Sequence, residues 1–201
     1  AFLKTPENHR KIVFATNNIN KLSEIRDLVT ENIEILSLKD INCFDDLPEN
    51  QLTLEGNALE KANHIFLKYG YNCFADDTGL EINTLNGEPG VFSARYAGPK
   101  CLAEDNMNKV LSKLKFSLNR KAKFRTVIAL IIDGNENLFN GECHGEITSE
   151  KMGNDGFGYD PIFLPQNSKL TFAQMEKFEK GLISHRGISV RKLIEFLNNK
   201  N

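Results

Sequence analysis

Two adjacent carboxylates, Asp76 and Asp77, close an apolar stretch and stand directly before Thr78 in the segment ADDTGL. A carboxylate at a strand end can hold Mg²⁺ or take a proton from water. Successive strand side chains point to opposite faces, so only one of the pair is expected in a given site. Asp-Asp-Thr-Gly is equally good turn chemistry, and the segment alone leaves both roles open. A second candidate is the loop TNNINK, where Thr16, Asn17 and Asn18 supply short hydrogen-bonding groups and Lys21 a positive charge. Between a strand and a helix, such a loop suits a phosphate, because helix N-termini offer free N–H groups to anions. It is neither a Walker A sequence nor a GxGxxG, and an ordinary N-capped loop has the same composition. Glu49 lies in a polar stretch twelve residues before Lys61, a lysine on the polar side of a helical pattern. Lys61 could reach a phosphate from there, although spacing alone favours a solvated lysine. In GNDGFGYDPIF, three glycines alternate with Phe157, Tyr159 and Asp160. Aromatic rings on such a loop must stack on a ligand or plug onto the core. His185 and Arg186, in SHRG, are either the polar start of a last helix or ligand contacts.

The elements that must position these residues follow from periodicity. KIVFAT (11–16) reads as a buried first strand, and Leu22, Ile25 and Val29 mark one face of the helix after it. This strand–loop–helix opening predicts an α/β fold. A second helix is expected over 54–69, with Thr53 as N-cap and Gly70 as its stop, and with Asn57, Lys61, His64 and Lys68 on a polar face. NCFADDTGLEINTL reads as a strand, a tight polar interruption and a second extended segment. A helix over 103–116, a strong strand over 124–133, a hairpin-like LFNGECHGEI and a short strand at PIFLP come next. The last helix should run over 184–197 with Ser184 as N-cap. Adjacent extended segments after Asp133 predict a mixed sheet.

Bulk properties narrow the class. A chain of 201 residues points to one domain, and a net charge of −2 gives no electrostatic reason to expect nucleic acid as a partner. Cys43, Cys73, Cys101 and Cys143 form no CxxC pair, which argues against a zinc site and fits a reducing cytosol. The opening AFLKTPENHRK has no apolar signal core, and no apolar run reaches membrane-spanning length. A cytoplasmic protein without membrane association is expected, with residues 1–10 a loosely ordered extension.

The order and spelling of FATNNINK, NALEKA, ADDTGLEINTLNGEPGVFSARYAG, GFGYDPIF and EKGLISHRG resemble the inosine triphosphate pyrophosphatase family, from Lys11 to the last helix. The resemblance implies one nucleoside-triphosphate pyrophosphatase domain over 1–201. Its α/β fold would have a mixed, twisted central sheet flanked by helices, in two lobes with an active-site cleft between them. It implies a homodimer that uses Mg²⁺ to cleave ITP, dITP and XTP between the α- and β-phosphates. Matched motif by motif, the phosphate loop falls on Thr16, Asn17, Asn18, Ile19, Asn20 and Lys21, with Lys61 as a second phosphate-binding lysine. Glu49 and Asp77 are the implied metal ligands, Asp77 the general base, and Thr78 an adjoining substrate contact. Phe157, Gly158, Tyr159 and Asp160 match the base-binding loop, with Phe157 stacked on the purine. Lys180, His185 and Arg186 complete the set, and Arg186 is expected to read the purine 6-carbonyl. Two departures stand out: Asn17 replaces the usual glycine, and Thr78 the commoner serine. Two rivals remain, a Maf-like pyrophosphatase acting on other nucleotides and a non-catalytic nucleotide-binding module. The SHRG and GFGYDP segments speak against the first, and Lys21, Glu49, Lys61 and Asp77 against the second.

Overall fold

A computed structural model describes residues 10–199 of the chain. The expected N-terminal extension lies outside the described residues, apart from Arg10. Strand β1 (Arg10–Phe14) opens on that arginine, whose guanidinium donates to the Leu197 carbonyl at 2.9 Å. Helix α1 (Ile19–Leu28) follows, then strand β2 (Ile33–Leu36), helix α2 (Leu54–Tyr69) and strand β3 (Cys73–Ile82). The short β4 (Pro89–Gly90), helix α3 (Ala103–Lys113), and the long strands β5 (Lys121–Ile132) and β6 (Asn135–Ile147) come next. Strand β7 (Phe163–Pro165) and helices α4 (Lys177–Ile183) and α5 (His185–Asn198) complete the chain.

The sheet is mixed, as expected. Its order is β2-β1-β3-β5-β6-β7, with β4 also paired to β3. β1 runs parallel to β2 and β3, whereas β4 on β3 and β7 on β6 are antiparallel. Asp133 and Gly134 join β5 to β6, both with positive φ (51° and 79°), the backbone of a tight two-residue hairpin. Helix α2 is capped at both ends by the expected residues. Thr53 accepts the Gly56 N–H, and Gly70 takes the left-handed conformation at φ 75°. No helix among the described residues is long and apolar enough to cross a membrane.

Two expectations fail. LFNGECHGEI is not a hairpin but lies wholly within one continuous strand, β6, the turn falling earlier at Asp133 and Gly134. The Asp-Asp-Thr segment does not interrupt its strand: β3 runs for ten residues straight through it. The reason is that both carboxylates are buried, Asp76 completely, and donors within the fold, the Lys21 ammonium for Asp76 and the Thr78 backbone N–H for Asp77, replace the water that a turn would have offered them.

The chain divides into two compact units, one comprising 1–76, 128–139 and 190–201, the other 77–127 and 140–189. The first has a core of Ile12, Phe14, Ile25, Ile33 and Ile35 with Ile128, Leu130, Val190 and Leu193, in which Phe14 and Phe74 stack at 4.6 Å. The second is built on Leu80, Ile82, Val110 and Leu114 with Phe124, Ile162, Phe163 and Phe172.

Candidate active site

In the first unit the candidate phosphate loop is built from its own side chains. Asn18 caps α1, its Oδ1 accepting the N–H groups of Asn20 and Lys21 at 3.0 and 3.2 Å, while Thr16 Oγ1 accepts the Asn18 N–H. Residues 17–20, including Ile19, are exposed at the N-terminus of this helix, where anions are favoured. Among the described residues, positive φ occurs outside glycine at Asn42, Asn86, Cys101, Asp133 and Asn167, and not at Asn17. The replacement of the usual glycine therefore needs no left-handed backbone.

Lys61 is not a solvated lysine. Only 4% of it is exposed, and its ammonium donates to Glu49 Oε1 at 2.8 Å and to the Asp76 carbonyl at 2.6 Å. Lys21 reaches the same residue from α1, donating to Asp76 Oδ1 at 3.2 Å. The two phosphate-lysine candidates thus converge on Asp76, Lys21 on its carboxylate and Lys61 on its main chain.

The segment that carries Glu49 is strapped to the polar face of α2. Asn50 donates through its backbone and side chain to Glu60, and the Gln51 N–H donates to Oδ1 of the buried Asn57. Asp45 Oδ2 accepts from Lys68 at 2.7 Å and Tyr69 at 3.0 Å and lies 2.9 Å from His64 Nε2. The hydrogen bond from Lys68, followed by that from His64, holds its carboxyl at about 2. A helix face that reads as solvent-facing in the sequence is instead the seat of this loop.

In the second unit, Asp77 is 8% exposed and its Oδ1 accepts the Thr78 N–H. The Thr78 hydroxyl shares a 2.8 Å hydrogen bond with Thr126 and accepts from Arg186 Nη2 at 3.3 Å. Threonine in place of serine thus keeps the hydroxyl in use. Arg186 is almost fully buried, and its guanidinium carbon lies 5.5 Å from the centre of the Phe157 ring.

The GFGYDP loop assigns different duties to its aromatics. Phe157 is half-buried, whereas Tyr159 plugs onto the core, its hydroxyl donating to the Ser93 carbonyl at 2.6 Å. Burial pushes the Tyr159 phenol well above its ordinary pKa. Gly156 and Gly158 both take positive φ. A side chain at Gly156 would also overlap the Asp160 carboxylate. That carboxylate accepts the Phe157 N–H at 2.9 Å and pairs with Lys180 at 2.7 Å, both ionic side chains being nearly inaccessible. Lys180 also lies 4.7 Å from the Phe157 ring centre. His185 stacks on Phe124 at 4.6 Å and is 3% exposed. Within this unit, Phe157, Asp160, Lys180 and Arg186 form one connected group, while Tyr159 and His185 pack against the core. Ser184 accepts the Gly187 N–H at 2.9 Å, as expected of the cap of α5.

A family model described as the Ham1 family matches residues 12–196. This chain belongs to the Ham1 family. The match coincides in extent with the motif resemblance to inosine triphosphate pyrophosphatases. The chain is 55% identical to the dITP/XTP pyrophosphatase of Flavobacterium johnsoniae over 187 residues, covering 93% of this chain and 97% of that one. It is 50% identical to the dITP/XTP pyrophosphatase of Porphyromonas gingivalis, again covering 93% and 97%. Among solved structures, the Staphylococcus aureus Ham1 protein superposes with a TM-score of 0.87 at 37% identity, covering 96% of this chain and 100% of that one. A HAM1 protein from Coxiella burnetii gives 0.86 at 36% identity, covering 94% and 99%.

Of the two metal ligands that the resemblance implies, Glu49 belongs to the first unit and Asp77 to the second, and each offers carboxylate oxygen, the chemistry that a hard divalent cation takes. No group of three or more His, Cys, Asp or Glu among the described residues could cage a metal. Mg²⁺ is usually held by one or two carboxylates together with substrate phosphates. Thr126 escaped the sequence reading altogether, while Asp76 and Asn57 were noticed, one as half of a carboxylate pair and the other on a polar helix face, without the contacts they make. Asn57 gave a faint signal, since an asparagine one turn before Lys61 shares its helix face. Thr126 sits in an apolar strand with nothing in its neighbours to mark it.

Proposed function

We propose that this chain hydrolyses the non-canonical purine nucleotides ITP, dITP and XTP to the nucleoside monophosphate and pyrophosphate, with Mg²⁺ as cofactor. The observation that carries the reading is the convergence of Lys21 and Lys61 on Asp76, one peptide bond from Asp77, in a chain 55% identical to a dITP/XTP pyrophosphatase. Hydrolysis of a phosphoanhydride needs the negative charge of the phosphates neutralised and a water held in line. Lys21, Lys61 and the N-terminus of α1 supply fixed positive charge and N–H donors for the phosphates. Asp77 orients the attacking water and takes its proton. Glu49 and Asp77 would hold the Mg²⁺, which lends further charge to the phosphate oxygens.

Base choice falls to the second unit. Phe157 offers the face on which the purine stacks, and Lys180 and Arg186 beside it supply cationic donors. Hypoxanthine and xanthine present a carbonyl at C6 where adenine presents an amine, so Arg186 aimed at that position would meet another donor in ATP. A site built to hydrogen-bond one group can reject an analogue by on the order of 10⁴-fold. The reading is completed by a cytoplasmic setting, consistent with four free cysteines, and by a homodimer, which light scattering would test.

The deciding experiment measures pyrophosphate release with Mg²⁺ from ITP, XTP, GTP, ATP, CTP and UTP on one preparation. ITP and XTP should be turned over far faster than ATP. Absence of release from ITP would favour a binding module, and preference for CTP or UTP a Maf-like enzyme. Asp77→Asn should retain nucleotide binding and lose turnover; a variant keeping most of its rate would remove Asp77 from the role of base.

A further inference from the structure

Asp76 is the neighbour of the proposed base, yet the reaction just described gives its carboxylate no task. It is completely buried, and it spends one oxygen on Lys21, whose side chain is only 15% exposed. Its carbonyl takes the 2.6 Å hydrogen bond from Lys61, and Lys61 in turn holds Glu49 at 2.8 Å. A carboxylate next to a polyanion site carries an electrostatic cost. It cancels part of the lysine's charge and repels phosphate across a short distance. A fold that needed only to bind phosphate tightly would do better with an amide there. A long, flexible lysine, however, gains geometry from a buried anion: the ammonium is pulled out of its many rotamers into one position before substrate arrives.

We propose that Asp76 is a positioning residue for Lys21: its carboxylate fixes the ammonium for the transition state and limits its grip on phosphate in the ground state. Resting on the pyrophosphatase reading, this adds to it a reason for the paired Asp76-Asp77. The first aims a lysine and the second handles water. The arrangement also favours release of product, since pyrophosphate leaving the site returns Lys21 to an anion already in place.

Opposite signs for rate and binding test the idea. Asp76→Asn keeps the shape of the side chain and removes its charge. It should lower kcat for ITP by about tenfold to a hundredfold, the scale of a misplaced catalytic group. At the same time, its Kd for inorganic pyrophosphate, measured by calorimetry, should tighten at least about threefold, because Lys21 regains its full charge. A merely structural loss would weaken pyrophosphate binding along with kcat, and that result, or an unchanged Kd, would overturn the proposal. A double-mutant cycle with Lys21→Met guards against misfolding of a single variant. In the Lys21→Met background, adding Asp76→Asn should reduce kcat by less than about twofold further, because the charge no longer has a lysine to aim. Additive losses would show that Asp76 acts by another route. If the unmodified protein releases no pyrophosphate from ITP, the functional reading itself fails; if it does and the cycle is additive, only the role of Asp76 fails.

Discussion

Replacing Lys180 with methionine separates a lysine that reads the base from one that builds the loop reading it. The ammonium and the Asp160 carboxylate sit 2.7 Å apart, their side chains 6% and 4% exposed. Removing one partner of so buried a pair leaves a charge that water cannot reach, which costs about 3–5 kcal/mol. In a chain of this size each kcal/mol shifts Tm by about 2–4 °C, so Lys180→Met should melt roughly 6–20 °C below the unmodified protein. Adding Asp160→Asn takes away the stranded charge. The double variant should therefore recover most of the loss, because neutral side chains of similar size often replace a buried ion pair without penalty. Asp160 also accepts the Phe157 N–H, so the single variant should loosen the stacking ring and raise KM for ITP. Thermal unfolding followed by circular dichroism, with kinetics on the same samples, makes the comparison. A Tm drop under about 2 °C, or a double variant no more stable than the single, would refute the argument that this pair holds the loop.

Gly141→Ala should unfold or severely destabilise the protein, since the added methyl would overlap the His185 carbonyl and come within 2.7 Å of the Ser189 nitrogen. Expression yield and Tm would show it, and a normal Tm would mean the first turn of α5 can move away. Phe157→Ala should raise KM for ITP about 5- to 150-fold if the ring stacks on the base at roughly 1–3 kcal/mol, with kcat much less affected; an unchanged KM would place the purine elsewhere. Asp45, held at about 2 chiefly by Lys68 and then by His64, adds stability that is present above its ordinary value of 3.8 and is lost as pH falls toward 2. Tm should thus fall more steeply between pH 4 and pH 2 in the unmodified protein than in Asp45→Asn, and parallel curves would count against the strap.

How much of this was legible depended on how far each residue's partner lies along the chain. The caps of α2, Thr53 and Gly70, were readable because a helix end is decided by residues within one turn of it. So was Ser184, which bonds three residues ahead. The continuity of β3 was not, since Asp76 is tolerated in a strand through Lys21, 55 positions away. The burial of Lys61 escapes spacing for the same reason: periodicity sorts a helix into apolar and polar faces, but it cannot tell water from a polar loop as the neighbour of the polar face. β2, four residues long, and α4, seven residues with Phe178 and Leu182 exposed, are too short to show a period. The candidate site's residues follow from the motif resemblance, while the ties among them appear only in three dimensions.

The ordinary backbone at Asn17 has a consequence for how this loop can change over time. Where a position demands glycine, variation is closed to it, and a lineage can adjust only the residues around it. Here the side chain points out from an exposed loop whose shape is set by Thr16 and Asn18, so position 17 can drift through many residue types with no conformational toll. Saturation mutagenesis at this one codon should yield proteins that fold alike, a ready starting point for directed evolution.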